Sequence, residues 1–380
     1  MNTESVTEFA SLVHEYAFLG QVGHTLCCSH TLLLARAFGD LLSPEGDATF
    51  AIGYDIRESS PSLAEAVSLG LRSGGHHVVH IGACTTPLLE WYTTQNSLRG
   101  GVMITGHCAP KGWNGMRLYG SGGQPVSATT VLDSMKVTDL DRLFSRHCNP
   151  ILHHDYPLSA YAACLRQRLH PEQQIKLCIN VSDGPAKNEF KTLVAHYQQL
   201  RFWYIGSELD STQINDPFAK QSQAKLADSV ISKGCHLGAA MDADGDRLAV
   251  TDDHGAPVEP HILGVLLAQA LAKRHPGLRV WHDSNVSPDV LRVLQQTGMQ
   301  TQVADGGPHA AWTSLHDGQP GFYLNGVGQY AFSEFPGTAN ALLALIELIN
   351  HLSESRLSLS ALINAIKKQS ADAQAAMPTL

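Results

Sequence analysis

Three aspartates, Asp242, Asp244 and Asp246, alternate with Ala243 and Gly245, and Arg247 follows directly. Carboxylates at this spacing suit a hard divalent cation such as Mg²⁺. The small residues between them leave the backbone room to wrap an ion. An exposed acidic turn is the plainer alternative. Residues 237–241, just before, form a short apolar run that reads as a buried strand. The aspartates therefore stand where a strand ends, which is where open α/β sheets hold their ligands.

The elements around this loop alternate between strand and helix, so the class is α/β. Strands are expected at 48–53, 77–81 and 101–105, the last feeding a loop at 106–114. A helix is expected at 61–73, with Ser60 as N-cap and Pro61 in the first turn. The polar stretch 145–156 reads as a boundary. A second unit carries a helix from about 157, strands at 177–181 and 202–205, helices at 189–200 and 223–232, then strand 237–241, the aspartate loop and strand 248–251. A third unit carries helices at 261–273 and 287–296, the latter capped by Ser287 with Pro288 next. Strands follow at 278–281, 302–304 and 322–324, then a strongly apolar helix at 339–352 and one more at 358–368. Domains of 1–150, 151–256 and 257–380 result.

The totals narrow the function. With 380 residues there is length for two or three domains. A net charge of −9 and a charged fraction of 16% give no electrostatic support to nucleic-acid binding. The eight cysteines lack zinc-type pairing and sit mostly in apolar runs, as free thiols of a reducing cytosol do. Residues 1–13 have no signal-peptide core, and no run of 18 or more apolar residues suggests a membrane span. The expected location is cytoplasmic. Most of the twenty histidines read as surface or strand-edge residues.

With these features in view, the chain resembles the α-D-phosphohexomutases: phosphoglucomutase, phosphomannomutase and phosphoglucosamine mutase. Residues 242–247 are similar to the family's DGDGDR metal loop with one Gly→Ala change. Residues 101–110, Gly-Val-Met-Ile-Thr-Gly-His-Cys-Ala-Pro, followed by Asn114-Gly115, resemble its GVMxTxSHNPxxxNG catalytic loop. Residues 53–57, Gly-Tyr-Asp-Ile-Arg, resemble GRDxR; Thr86-Pro87 resembles the PTP turn, and Asp183-Gly184 the DGN turn. The resemblance implies tandem α/β domains, each a mixed sheet flanked by helices, with the catalytic centre between the first two. It also implies a phosphoserine that exchanges phosphoryl groups with a sugar phosphate, assisted by Mg²⁺ on the three aspartates. Such chemistry is chiefly positioning plus electrostatics.

The pattern breaks at the reactive group. His107 stands at the phosphoserine position, Cys108 at the histidine and Ala109 at the asparagine. Leu19 and Tyr54 replace arginines, leaving Arg57. The family's sugar-binding GExSGH matches residues 324–329, so its glutamate, serine and histidine become Asn325, Val327 and Gln329. The family's fourth, phosphate-binding domain is expected to be absent, since some thirty residues follow the 339–352 helix.

Three functions are compatible with this. The first is a degenerate mutase that keeps its metal loop and acts as a binding or regulatory relative. The second is an enzyme of altered chemistry: His107 carries a phosphoryl group, or joins the aspartates as a nitrogen ligand and shifts the metal toward Mn²⁺, Fe²⁺ or Zn²⁺, giving a phosphatase through metal-activated water. The third is a mutase completed by another chain. Candidate catalytic residues are His107, Cys108, Arg247 and Lys111; candidate ligand contacts are Arg57, Arg117, Asn325 and Gln329. Each has a plainer reading. His107 is drift to a polar residue, Cys108 a loop thiol, Lys111 and Arg117 a solvated face, and Asp55–Arg57 a structural ion pair. The expected ligand is a sugar phosphate or related small anion. A second copy or a protein partner is expected to cover the side left open by the fourth domain, and neither membrane nor nucleic acid is expected.

Overall fold

The computed structural model describes residues 9–135, 153–181, 184–195, 197–205 and 216–375. Asp183, Cys148 and the 145–152 part of the expected boundary lie outside them. The chain forms two compact units, one reaching to Tyr161 and the other beginning at Ala162. Three mixed sheets flanked by helices carry the fold, one in the first unit and two in the second; the alternation predicts the α/β class, and the resemblance implies the mixed sheets.

In the first unit the strands are β1 (Val13–His14), β2 (Ala17–Gln21), β3 (Thr49–Tyr54), β4 (His77–Ala83), β5 (Gly100–Ile104), β6 (Trp113–Gly120) and β7 (His153–His154). Their spatial order is β1-β2-β6-β5-β3-β4-β7. β3 runs parallel to both β4 and β5, while β6 is antiparallel to β5. Strands buried on both faces read as unbroken apolar runs, which is why β5, buried throughout, shows no alternation. Phe18, Phe38, Phe50, Ile52, Val102, Ile104, Met116 and Leu118 form the core beneath helices α1 (Cys28–Leu42) and α2 (Ser60–Ser73). The C-terminal ends of β3 and β5 lie side by side, with Tyr54 paired to Ile104. The loops that leave them are thereby brought together.

Helix α2 departs from expectation at its start. Ser60 lies inside the helix and Ser59 at its N-cap, because the Ser60 hydroxyl donates instead to the buried Asp55 carboxylate at 2.5 Å. Further elements of this unit carry no strong sequence signal, among them α1, α3 (Thr86–Gln95) and β6. The first two lack a Ser, Asp or Asn N-cap hydrogen bond, and β6 is rich in glycine. A short helix, α4 (Ala128–Met135), completes the described residues before the gap.

The second unit opens on helix α5 (Leu158–Arg166), shared at its first residues with the other unit. Its larger sheet has the order β12-β11-β10-β8-β9. The strands are β8 (Ile175–Val181), β9 (Leu200–Tyr204), β10 (Leu237–Met241), β11 (Leu248–Thr251) and β12 (Pro257–Val258). Helices α6 (Pro185–Val194) and α7 (Lys220–Lys233) connect them. α6 begins and ends earlier than the expected 189–200, since Gly184 and Pro185 start it and Leu200 already belongs to β9. β10 and β11 form an antiparallel hairpin closed by the pair Met241–Leu248, so the aspartates are its loop.

The smaller sheet has the order β14-β13-β15-β16, from β13 (Arg279–His282), β14 (Gln300–Val303), β15 (Gly321–Leu324) and β16 (Tyr330–Phe332). Leu324 pairs with Tyr330, which makes residues 325–329 a second hairpin loop. Helices α8 (Pro260–Arg274), α9 (Pro288–Gln296), α10 (Gly307–Leu315), α11 (Ala341–Ser355) and α12 (Leu359–Ala375) surround it. Ser287 caps α9 as expected, accepting from the Val290 N–H at 3.4 Å. Asn340 caps α11 in the same way at 2.8 Å, and that helix is buried over most of its length. The seven cysteines among the described residues are free thiols. No described helix is long and apolar enough to cross a membrane.

Candidate functional site

In the first unit the loop that carries His107 is held from behind by Arg57. A guanidinium has five N–H groups, and five protein oxygens receive them here. Nε donates to Asp55 Oδ2 at 3.1 Å. Nη1 donates to the carbonyls of Trp113 at 2.9 Å and Pro110 at 3.3 Å. Nη2 donates to those of His107 at 2.8 Å and Ala109 at 3.0 Å. Arg57 is thus joined in an ion pair to Asp55 and clamps the loop backbone.

Asp55 is the second organiser. It is 2% exposed, and its two oxygens accept from Ser60 Oγ, Thr105 Oγ1 at 2.9 Å and the backbone N–H of Arg57 at 3.0 Å as well as from the guanidinium. Asn114 donates to Ser59 and Ser60 at 2.8 and 2.9 Å and accepts from the Gly115 N–H, fixing the far end of the loop. Thr105 Oγ1 also receives the His107 N–H at 2.9 Å. The backbone of residue 107 is therefore pinned at both its N–H and its carbonyl, with φ at +48°. Histidine is among the residues enriched in this left-handed region. His107 is half-buried, whereas Cys108 and Lys111 are exposed on the same loop. Arg117 is buried on β6, on the face opposite Met116 and Leu118, which enter the core.

In the second unit the aspartate loop is buried. Asp242, Asp244 and Asp246 are 5%, 2% and 1% exposed. Asp242 Oδ1 accepts from the N–H groups of Asp246 at 3.2 Å and Arg247 at 3.3 Å, closing the turn on itself. Carboxylate oxygens of Asp244 and Asp246 lie within 4.8 Å of one another. Burying three carboxylates together is costly without positive charge. An all-oxygen donor set of this kind fits a hard divalent cation, so the residues present suit Mg²⁺ or Mn²⁺. Arg247 braces the loop's end: Nε donates to the Val327 carbonyl at 3.1 Å, Nη1 reaches Asp216 Oδ1 at 3.4 Å, and the guanidinium lies 5.1 Å from the Phe218 ring centre.

Asn325 and Gln329 meet this loop. Gln329 Nε2 donates to Asp246 Oδ2 at 3.2 Å, and Asn325 Nδ2 donates to Gln329 Oε1 at 2.9 Å. The Leu248 N–H donates to the Gly328 carbonyl at 2.8 Å. Asp283 anchors the second loop from below, accepting the Gly326 N–H at 2.9 Å and facing His261 Nε2 at 3.2 Å. The candidates thus fall into two intra-unit groups. Arg57 joins the His107 loop, and Asp242, Asp244, Asp246 and Arg247 join Asn325 and Gln329. Sequence reasoning gave Ser60 a capping role and no part in the site, and passed over Asp283, Asp216 and Phe218. Only Asp283, at the end of β13, carries the strand-end signal that could have found it.

Comparison with known proteins bears on the family and the fold. The family model described as phosphoglucomutase/phosphomannomutase, alpha/beta/alpha domain I, matches residues 12–135. The chain is 28% identical over 342 residues to a protein of Xanthomonas campestris named phosphohexose mutases, covering 87% of this chain and 75% of that one. It is 26% identical over 295 residues to a phosphomannomutase of Vibrio cholerae, covering 74% of this chain and 64% of that one. A solved phosphoglucomutase/phosphomannomutase family protein of Burkholderia thailandensis shares the fold with a TM-score of 0.80, at 21% identity, over 94% of this chain and 79% of that one.

Proposed function

Since the chain belongs to the α-D-phosphohexomutase superfamily, we propose that it serves sugar-phosphate metabolism as a cation-binding member without mutase turnover. One observation carries this. The scaffold that presents residue 107 is built in full, from Asp55, Arg57, Thr105 and Asn114, yet the residue it presents is histidine where the resemblance places phosphoserine. The framework is kept while the nucleophile has changed. Loss of the nucleophile from a covalent mechanism costs many orders of magnitude in rate.

The second unit keeps what a bound anion would need. Asp242, Asp244 and Asp246 would hold the cation, and Arg247 and Gln329 would fix the loop around it. A divalent cation held there supplies positive charge to a phosphoryl oxygen. The ligand class is a sugar phosphate, bound rather than isomerised.

The test is a thermal-unfolding series with Mn²⁺, with and without hexose phosphates. At a cation concentration of about 100 times Kd, binding to the folded state adds about 2.7 kcal/mol. A midpoint that rises with Mn²⁺, rises again with a hexose phosphate and loses both responses in Asp244→Asn supports the proposal. No cation response in the wild type overturns it. Steady release of inorganic phosphate from hexose phosphates, lost in His107→Ala, would overturn it in favour of a phosphatase.

A further inference from the structure

The pair Asn325–Gln329 occupies the positions at which the resemblance expects contacts to sugar hydroxyls, but its hydrogen bonds run elsewhere. Asn325 Oδ1 accepts two backbone N–H groups, from Val327 at 3.2 Å and Gln329 at 3.0 Å. An amide oxygen so engaged fixes which end of the side chain is nitrogen. Asn325 Nδ2 must then donate, and it meets Gln329 Oε1 at 2.9 Å. The orientation of the Gln329 amide follows in turn, with Nε2 as the end that faces Asp246 Oδ2 at 3.2 Å. The chain of donors runs one way, from Asn325 through Gln329 to the carboxylate. All three side chains are nine-tenths or more buried, at 4%, 7% and 1% exposure.

The backbone reinforces this direction. Arg247 and Gln329 form an antiparallel bridge, the Leu248 N–H donates to the Gly328 carbonyl, and Arg247 Nε donates to the Val327 carbonyl. The two hairpin loops are knit together on either side of the Gln329–Asp246 contact, so its geometry is set before any ligand arrives.

We propose that Gln329, oriented by Asn325, is a positioning residue for the cation site: its amide holds the Asp246 carboxylate in the rotamer that presents it to a divalent ion. This rests on the cation-binding reading above and gives the 325–329 loop a task other than gripping a sugar. Groups that orient a metal ligand typically contribute 10- to 100-fold in metal affinity.

The test is Mn²⁺ binding to the full chain, by equilibrium titration with paramagnetic resonance of the free ion, alongside unfolding midpoints in chelator. The wild type should bind Mn²⁺. Gln329→Leu should raise the dissociation constant about 10-fold or more and alter the spectrum of the bound ion. Gln329→Glu removes the donor and places a fourth carboxylate beside Asp246. Its midpoint in chelator should fall, and Mn²⁺ should raise it by more than in the wild type. Should Gln329→Leu not fold, Asn325→Ala, which removes the donor that orients the Gln329 amide, decides in its place by the same loss of Mn²⁺ affinity. A wild type that binds Mn²⁺ while these variants keep its affinity and its midpoint response would overturn the positioning role and leave the cation site standing. A wild type that binds none overturns both.

Discussion

A guanidinium with every donor engaged is costly to move, and Gly106 is what allows Arg57 to lie against the loop. A Cβ at residue 106 would stand 2.5 Å from Arg57 Cζ and 2.6 Å from Nε. The Arg57 side chain has nowhere to retreat without breaking several of its bonds. Gly106→Ala should therefore destabilise by roughly 1–3 kcal/mol, as overpacking of a close contact does. A lowered unfolding midpoint is the check; an unchanged midpoint would mean that the clamp is loose. Asp55→Asn should do more, roughly 3–5 kcal/mol, because one acceptor oxygen becomes a donor facing the N–H groups that the carboxylate now satisfies. At this scale the aspartate loop was legible because its chemistry lies in residue types at short spacing. The link from Gln329 to Asp246 was not, since it depends on two hairpin loops that only the fold brings together. Nor was the use made of Arg57, because all but one of its acceptors are backbone carbonyls, which have no residue signature.

Among the elements, the hairpin loop 325–329 depends on Gly328, which has φ of +80° and would place a Cβ 2.5 Å from the Phe218 ring and 2.7 Å from the Leu248 carbonyl. Gly328→Ala is strained in both conformation and space. It should cost roughly 1–3 kcal/mol and weaken Mn²⁺ binding, since the same loop carries Gln329. Helix α11 supplies a pH response. Burial, with the Lys273 ammonium adding to it, pushes the His351 imidazole down to about 4. A histidine in an unfolded chain titrates near about 6.5, so between those values the unfolded state binds more protons. His351 thus contributes stability that is complete above about pH 6.5 and is lost as the pH falls toward 4. In His351→Leu the decline of the unfolding midpoint across that window should be shallower. An equal slope in both proteins would rule out this histidine as the cause. Elements with local punctuation were readable: strands 237–241 and 248–251, and the Ser287-capped helix. Helix α1 was not, because it opens at Cys27 and Cys28 with no hydroxyl or carboxylate cap, and its burial is decided by the sheet beneath it.

For the whole molecule, strand–helix alternation was enough to give the α/β class, since each apolar strand run requires cover on its faces, while the mixed character of the three sheets was implied by the resemblance and not by the alternation. What alternation cannot give is which loops meet, and the site consists of such meetings. Within the second unit, the cation loop and the 325–329 loop should respond as one. Hydrogen exchange with and without Mn²⁺ should show protection gained at 242–248 and at 325–330 together. Protection confined to the first segment would mean that the two loops are not coupled. The central claim is that this phosphohexomutase scaffold has kept its cation loop and lost the exchange of phosphoryl groups through residue 107. The most direct measurement is ³¹P nuclear magnetic resonance of the purified protein with mannose or glucose 1-phosphate, Mg²⁺ and the matching hexose bisphosphate. The hexose 1-phosphate signal should persist unchanged at catalytic protein concentration. Its conversion to the 6-phosphate over many turnovers would contradict the account.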